Sequence, residues 1–349
     1  MIMDILPIVM NTDFERLAVI DDYISFIWTT RYYTCGDFEL CVDVNEVNVN
    51  LFQKGYYIIR DDDENAGIIE KIHIEKNEDH HEMLIISGRF LPCIIARRII
   101  SQQTVVDGTV AECVNTLLTD AIIDPDISAR QISNFILGSY STTQTMQAQY
   151  TGDNLLDTIN AICQTYGIGY KVILNEDNEF VFSLIQGTDH SYDQNVNPYI
   201  VFSDEYDNLL SSQYEENYQE IATDVLVAGE GEGLDRRTLW VSEANNTGLD
   251  RYEVYKDQRN LQSNDGEITD AEYEAQMRES GLESITTITT AFTGTVYFGN
   301  LQWKQDVNIG DICVVENKKW GVYINSRLVE VIESVAETGE YSIVPTFGI

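Results

Sequence analysis

Histidine, basic residues and long apolar runs are all scarce in this chain of 349 residues. Only four histidines occur, and neither a His-Glu-x-x-His nor a Gly-x-Ser-x-Gly motif is present, which removes the usual signatures of zinc and serine hydrolases. No apolar run approaches the roughly 20 residues of a membrane-spanning helix. Because Asp4, Asp13 and Glu15 lie near the start and a basic segment does not, we expect no signal peptide.

Cysteine is present six times, but never as a CxxC pair. Most of the cysteines have apolar neighbours, as Cys113 and Cys163 do. This pattern predicts reduced cysteines in the protein core and synthesis in a reducing cytoplasm. The six residues are Cys35, Cys41, Cys93, Cys113, Cys163 and Cys313.

Acidic residues greatly outnumber basic ones, with 58 Asp and Glu against 21 Lys and Arg and a formal net charge of −37. Such a chain lacks the clustered cations that grip nucleic-acid phosphates or an anionic membrane. It is compatible with a wall that DNA passes without adhering, because negative charge repels the phosphate backbone. The plain alternative is a soluble acidic protein whose charge prevents aggregation. The excess is largest in residues 201–290, which contain 21 acidic and 6 basic residues.

Residues 55–88 and 310–348 look like two copies of one β-unit. Each copy places a short strand, a tight turn, a long strand, a second turn and a closing strand in the same order. The two glycines that open each copy are 12 residues apart in the first and 11 residues apart in the second. We therefore predict a duplicated small β-barrel, so that three chains would present six similar units.

The whole chain divides into four predicted regions. Residues 1–104 form the first barrel, which parts of 188–235 would complete, and residues 105–187 form an α/β insert. Residues 188–284 form an acidic connecting domain of strands and one helix, and residues 285–349 form the second barrel. The predicted fold class is therefore a β-rich, multidomain α+β protein with two related small β-barrels.

The α/β insert shows the clearest local pattern. Apolar residues at helical spacing predict helices over 110–122 and 155–166, with Asp153 as a cap for the second and Gly167 as its stop. An alternating pattern over 170–185 with a polar turn in its middle predicts a hairpin.

Two charged segments resemble ligand sites without meeting their requirements. His80 and His81 lie in a charged turn, where consecutive side chains point apart, so a solvated turn is favoured over a metal site. Residues 229–233 alternate glycine with glutamates that would repel phosphate. We predict a turn there, with Arg236 and Arg237 paired to carboxylates inside the protein or across a subunit boundary.

Residues 264–272 copy the second half of an EF-hand calcium loop. Leu261 stands where the first carboxylate ligand of such a loop is required. We therefore predict a turn, a capping box between Thr269 and Glu272, and a helix over about 270–280. We predict no catalytic, cofactor or metal site in the chain.

Several short motifs follow one another in a specific order along nearly the whole chain. The first group comprises Tyr23-Ile-Ser-Phe-Ile-Trp28, Arg31-Tyr-Tyr33, Gly36-Asp-Phe-Glu-Leu40, Gly67-Ile-Ile-Glu70, Ser87-Gly-Arg-Phe90 and Arg97-Arg-Ile-Ile100. The second comprises Gly187-Thr-Asp-His-Ser191, Asn197-Pro198, Val201-Phe-Ser203, Asp207-Asn208, the segment 229–237, Gly310-Asp311 and Pro345-Thr-Phe-Gly348. Together they resemble a siphophage tail-protein family found in phages and prophages of Gram-positive bacteria.

The resemblance implies a tail-tip or baseplate-hub protein, similar to the trimeric hubs of contractile tails, which have two related β-barrels per chain. The expected function is a homotrimer that adapts a sixfold tail tube to a threefold tip and forms part of the DNA channel. Related hubs often continue into a peptidoglycan-cleaving or receptor-binding extension. This chain ends at its second predicted barrel, so we expect separate proteins to supply those activities.

The implied location is the virion tail, assembled in the cytoplasm of the bacterial host. The implied partners are two further copies of the chain, the distal tail or tail tube protein, the tape measure protein, and tip, fibre or receptor-binding proteins. DNA would be met only in transit, and neither a membrane nor a cofactor is expected. Two alternatives stay open, namely a tail-tip cell-wall hydrolase and a host-surface carbohydrate-binding module that uses some of the 20 tyrosines.

Overall fold

A computed structural model describes most of the chain. The described residues are 5–76, 82–209, 211–219, 221–263, 268–286, 289–293, 301 and 303–348. Within these ranges strands dominate, and four α-helices accompany them, namely α1 (Glu46–Leu51), α2 (Val110–Leu118), α3 (Leu155–Tyr166) and α4 (Asp270–Leu282).

The strands fall into four groups along the chain. The first group is β1 (Ile8–Met10), β2 (Arg16–Val19), β3 (Ser25–Arg31), β4 (Asp37–Asp43), β5 (Tyr57–Ile59), β6 (Ala66–Ile68), β7 (Lys71–Lys76) and β8 (Glu82–Arg89). The second group is β9 (Thr104–Thr109), β10 (Phe135–Leu137), β11 (Thr145–Tyr150), β12 (Gly169–Leu174) and β13 (Phe180–Ile185). The third group is β14 (Val201–Ser203), β15 (Gln213–Asn217), β16 (Asp224–Ala228), β17 (Thr238–Ser242) and β18 (Glu253–Asp257). The last group is β19 (Thr289–Thr293), β20 (Ile312–Asn317), β21 (Val322–Val335) and β22 (Tyr341–Gly348).

The largest sheet has ten strands and joins the two ends of the chain. Its main path is β15-β19-β22-β21-β3-β4-β8-β7, and β20 and β14 branch from the first half of β21. Every neighbouring pair on the main path is antiparallel. The centre of the path is the pairing of β3 with β21, in which Phe26 lies opposite Val335 and Arg31 opposite Glu330.

The two predicted units have the same order of strand pairing. In the first unit, β5 pairs with β6, and β8 pairs with β7 in the same stretch of chain. In the second, β20 pairs with the first half of β21, and β22 pairs with its second half. In the sheet, the neighbours that come after β8 are β4 and then β3. In the same way, the neighbours that come after β22 are β19 and then β15. The expected order of short, long and closing strands is therefore present in both units.

The sequence predicted closed barrels, whereas the sheets of the described residues are open. Among the described residues the fold is β-rich with several sheets, and none of these sheets closes on itself. The second sheet, of order β2-β1-β5-β6, covers part of the first unit. Apolar side chains between the two sheets form a core that includes Phe26, Trp28 and Leu40.

Two smaller regions are attached to these units. The α/β insert (residues 104–185) contains α2, α3, a two-stranded ladder of β9 and β11, and the sheet β10-β13-β12. The predicted hairpin of this insert is confirmed as β12 and β13, and Gly167 ends α3 in a left-handed conformation with φ of 65°. The cap of α3 is Asn154, one residue after the predicted Asp153, and its side chain accepts from Leu156 and Asp157 N–H groups.

The acidic subdomain (residues 222–286) lies between β15 and β19 in the sequence. Its sheet has the order β17-β16-β18, and α4 packs against β16 and β17. The predicted capping box is present, since Thr269 and Glu272 each accept from the other's backbone N–H. Strands β14 and β15, which precede this subdomain, pair with β20 and β19 of the second unit.

Candidate functional site

The solvent-facing side of the ten-stranded sheet is rich in carboxylates. Strand alternation sends Phe26 and Trp28 to the core and leaves Ile27 and Thr29 on the opposite face. The register places Glu39 beside Ile27 and Asp37 beside Thr29 on that face. The acidic residues that the pairing assigns to it are Asp37, Glu39, Asp43, Glu75, Glu215, Glu316 and Glu330, against the basic residues Arg31, Lys71, Arg89 and Arg327.

Both ends of this sheet are strands that pair on one side only within the described structure. At one end, β7 is exposed along its full length and has Lys71, Lys76 and Glu75, with Lys76 paired to Glu82 of β8 at 2.9 Å. At the other end, the exposed residues of β15 include Glu215 and Glu216. A free strand edge offers unpaired N–H and C=O groups to another chain, and here the two edges differ in charge.

A buried ionic cluster ties the two units together behind the β3–β21 pair. Glu333 of β21 accepts from Arg60 at 3.1 Å and from Lys304 at 2.9 Å, and its side chain is 2% exposed. Lys304 also donates to Asp63 at 2.6 Å, which accepts from the Trp28 indole at 3.0 Å. Because each buried charge has an opposite partner, the cost of burying it is offset.

The Arg60 guanidinium is fully buried, yet it remains charged. Burial alone would lower the pKa of Arg60, but its bonds to Asp62 and the charge of Glu333 raise that pKa above its ordinary value. Arg60 also lies over the Trp28 ring at 5.6 Å. Burial and the nearby Glu333 carboxylate raise the pKa of Tyr341, whose hydroxyl donates to Glu333 at 3.0 Å.

Tyr32 marks the point where the insert and both units meet. Its ring is fully buried, and its hydroxyl donates to the Ile185 carbonyl at 3.1 Å and accepts from the Gly187 N–H at 3.3 Å. A Cβ atom on Gly169 would lie 2.3 Å from the ring, and one on Gly310 would lie 2.2 Å from it. Only glycine leaves enough space at these two positions.

The histidines occupy ordinary structural positions where the structure describes them. His73 is exposed on β7, 3.4 Å from Glu75. His190 is buried, with Nδ1 2.8 Å from the Pro198 carbonyl and Nε2 3.7 Å from Asp311. The predicted turn with His80 and His81 lies outside the described residues.

The arginine prediction is confirmed within one chain. Arg236 pairs with Asp257, and Arg237 pairs with Asp270 at 3.0 Å and lies 4.0 Å from the Tyr273 ring centre. In the segment that resembles an EF-hand, residues 264–267 lie outside the described part of the chain. Among the residues that are described, no three His, Cys, Asp or Glu side chains come together as metal ligands.

The six cysteines are free, and five of them are buried. Burial raises the pKa of Cys93 and Cys113, each to about 11, so their thiols stay protonated and unreactive near neutral pH. Within the described ranges, none of the helices has the length and apolar character needed to cross a bilayer.

Two clefts contain carboxylates that an enzyme could use. The larger, of about 790 Å³, lies beside the buried ionic cluster and includes Lys304 and Asp63, which are already paired with each other. A smaller cleft of about 340 Å³ includes Asp120, Asp124 and Asp126. Burial raises the pKa of Asp120, as a general acid requires, and this is the arrangement nearest to the hydrolase alternative.

The buried ionic cluster was not recognised in the sequence. One signal was available, since Val331, Glu333 and Val335 alternate on β21 and place a carboxylate at a core-facing position. A charged residue at such a position requires a buried partner. Its partners Arg60 and Lys304 lie far away in sequence, so local pattern could not identify them.

The fold is similar to solved structures of tail proteins. The tail protein from Neisseria meningitidis MC58 is 13% identical, with a TM-score of 0.57, over 99% of this chain and 97% of that one. The 43 kDa tail protein of prophage MuSo2 from Shewanella oneidensis is 12% identical, with a TM-score of 0.56, over 98% and 97%. The prophage tail protein gp18 from Listeria monocytogenes EGD-e is 12% identical, with a TM-score of 0.52, over 98% and 94%.

At these identities the likeness establishes a shared fold. Comparison with curated protein sequences gives no match. A family model described as siphovirus ReqiPepy6 Gp37-like protein matches residues 6–349. The expectation of a Gram-positive host is not tested by these matches and stays a prediction. Since the match spans almost the whole chain, the protein belongs to this siphovirus family of phage tail proteins.

Proposed function

We propose that the protein is the homotrimeric hub of a siphophage or prophage tail tip, adapting the sixfold tail tube to a threefold tip. The observation that supports this most is the open antiparallel path of eight strands with a free edge at each end. Three chains joined edge to edge, β7 to β15, would close a ring of 24 strands, three times the eight of one chain. The charges on the two edges favour this head-to-tail pairing over pairing of like edges.

The shared pairing order supports a duplication. We assign β1, β3, β4, β5, β6 with β7, and β8 to one copy, and β14, β15, β19, β20, β21 and β22 to the other. The second copy then comprises residues 188–217 and 289–348, with the acidic subdomain inserted between β15 and β19. The corresponding strands of the first copy, β3 and β4, are joined by a short loop. Each copy supplies four strands to the main path, so a trimer would present six related units, which would match six tube subunits.

The carboxylate-rich face of the sheet would line the channel. Glu39 lies near the middle of this face, where it would repel the phosphates of passing DNA, while Asp37 and Glu330 beside it are paired with Arg31. The upper rim would contact the distal tail or tail tube protein and the tape measure protein, and the lower rim the tip, fibre or receptor-binding proteins. The role is structural rather than enzymatic, in the virion tail, after assembly in the host cytoplasm.

Electron microscopy of the purified protein, alone and with its tail-tube neighbour and without imposed symmetry, tests the proposal. We expect a threefold ring around an open pore, with two related β-units per chain. A chain that stays monomeric even with the neighbour present would contradict it.

Charge reversal at the edges sharpens the test. The double variant Lys71→Glu with Lys76→Glu should weaken trimer formation at least tenfold, as measured by mass photometry across a concentration series. The variant Glu215→Lys with Glu216→Lys should do the same, and combining all four changes should restore the trimer. Loss without restoration would indicate that the two edges do not face each other.

A second candidate function, a host-surface carbohydrate-binding module, is favoured by one exposed aromatic cluster. The rings of Tyr192 and Tyr323 are stacked at 6.2 Å, and Tyr199 contacts Tyr192 edge to face at 5.1 Å. These three side chains are 42% to 53% exposed. Retention of purified wall polysaccharide, lost on Tyr192→Ala with Tyr323→Ala while trimer formation persists, would support this function.

A further inference from the structure

The α/β insert and the acidic subdomain meet through hydrogen bonds between tyrosines and glutamates. Tyr150 at the end of β11 donates to Glu283 at 2.7 Å, and Tyr166 at the end of α3 donates to Glu279 at 2.8 Å. The two glutamates are four residues apart at the end of α4, so they lie on one side of the helix. Both tyrosines and Glu279 are largely buried in this contact.

Further polar contacts join these two regions. Gln149 exchanges two hydrogen bonds with the backbone of Gln262, at 2.9 and 3.4 Å, and Asn260 donates to the Thr151 carbonyl at 3.3 Å. The apolar cores of the two regions are separate clusters. Among the described residues, no ion pair crosses between the two regions.

The acidic subdomain has a narrow attachment to the rest of the chain. Its two connecting segments pair at Ala222 and Thr286, where each N–H donates to the other carbonyl at 2.9 Å. Such a paired neck resembles a hinge, because it holds the subdomain by two adjacent residues while the Tyr–Glu contact fixes its orientation.

The buried Glu279 and the partly buried Glu283 have little compensation for their charges. Burial raises the pKa of Glu283 to about 7, with a further contribution from the charge of Glu279, while the Tyr150 hydroxyl and Lys256 act in the opposite direction. Burial also raises the pKa of Glu279, and the bond from Tyr166 opposes that increase. The titratable groups that act on the pair from neighbouring elements are Tyr150, Tyr166, Lys256, Asp153 and Cys113.

We propose that this contact is a pH-operated latch, closed while the Glu279–Glu283 pair retains a proton and released when the pair is fully ionised. The direction follows from linkage: a carboxyl whose pKa is higher in the closed state favours closure at low pH. Closure is therefore complete below the ordinary glutamate pKa of about 4.5 and is lost as the pH rises through about 7. The released subdomain would turn on the Ala222–Thr286 neck.

Hydrogen exchange of the full-length protein between pH 5.5 and pH 9 tests the latch, after correction for the intrinsic pH dependence of exchange. We expect the protection of residues 145–150 to fall by up to tenfold per pH unit between pH 5.5 and about 7 and to level off above 7, while residues 37–43 keep theirs. Glu283→Gln keeps the shape and a hydrogen-bond acceptor but cannot ionise, so its protection should be nearly independent of pH. Glu274→Gln, at an exposed position on the same helix, should behave like the unmodified protein.

Parallel pH profiles for the unmodified protein and Glu283→Gln would overturn the proposal. If Glu283→Gln fails to fold, as judged by circular dichroism, Glu279→Gln provides the second test. Removing the charge of Glu279 lowers the pKa of Glu283 in the closed state, so the fall in protection should be smaller and should level off at a lower pH. An unchanged pH profile in a folded Glu279→Gln protein would also overturn the proposal.

Discussion

The junction between the two units and the latch between the two smaller regions both bury glutamates, but they compensate these charges differently. At the junction, Glu333 lies between Arg60 and Lys304, and strand pairing of β3 with β21 adds a continuous set of backbone hydrogen bonds. At the latch, Glu283 accepts from a tyrosine hydroxyl, and the cation that acts on its pKa is Lys256, which makes no hydrogen bond to it in the described structure.

The difference shows that burial alone does not decide what a carboxylate does for a contact. A buried charge with hydrogen-bonded cations is costly to disturb, because removing it leaves its partners charged and unpaired. A buried carboxyl without such cations favours its neutral form and makes the contact depend on pH. We therefore expect a permanent contact at the junction and a reversible one at the latch.

The same substitution should have opposite effects at the two sites. Glu333→Gln should destabilise the protein by about 1–3 kcal/mol, since it removes the counter-charge that Arg60 and Lys304 share while leaving them Asp62 and Asp63. Glu283→Gln at pH 8.5 should be neutral or stabilising, because the neutral amide avoids burying a charge. Urea unfolding followed by tryptophan fluorescence measures both, and destabilisation of equal size at the two sites would remove the distinction.

Close packing around Tyr32 gives a second comparison, between Gly310 and Gly339. Both have positive φ, 94° and 77°, so alanine should cost each about 1–3 kcal/mol of backbone strain. Only at Gly310 would the new Cβ meet the Tyr32 ring, whereas nothing lies within 4 Å of a Cβ at Gly339. Gly310→Ala should therefore lower the free energy of unfolding by roughly 1–3 kcal/mol more than Gly339→Ala does, because that is the usual cost of overpacking.

Thermal unfolding of the two variants side by side provides the measurement. Because the strain contribution is common to both, their difference isolates the contact with Tyr32. Equal losses would mean that Tyr32 moves aside freely and does not hold the insert against the two units.

Local elements were largely predictable from the sequence because their signals are local. Apolar spacing predicted α3, and the Thr269–Glu272 pattern predicted the start of α4. The alternation of residues 170–185 predicted the β12–β13 hairpin. Each of these elements is specified by residues a few positions apart, so context had little chance to override it.

The junction was not predictable, because its partners are far apart in the chain. Arg60 and Glu333 are separated by 273 residues, and Arg31 and Glu330 by 299. The duplicated units suggested two separate barrels, whereas their central strands pair in one open sheet. Edge pairing between strands leaves little trace in sequence beyond the alternation that any strand shows.

The smallest expected effect compares two matching capping boxes, one on each side of the latch. Thr109 with Glu112 caps α2 of the insert, and Thr269 with Glu272 caps α4, with the same 2.7 Å bond from the threonine hydroxyl to the glutamate. Replacing either threonine by alanine should cost about 1 kcal/mol, the usual value of such a cap.

The two variants should differ in which region loses stability. Thr269→Ala should raise hydrogen exchange along α4, which presents Glu279 and Glu283, and should thereby weaken latch closure at every pH. Thr109→Ala should raise exchange only in the insert and leave closure unchanged. The capping bonds lower the pKa of Glu112 and Glu272, so these caps are complete above the ordinary glutamate pKa and weaken as the pH falls through the lowered value. Because release of the latch proceeds as the pH rises from about 4.5 to about 7, loss of exchange protection in α4 as the pH falls would report its cap, and loss as the pH rises would report the latch.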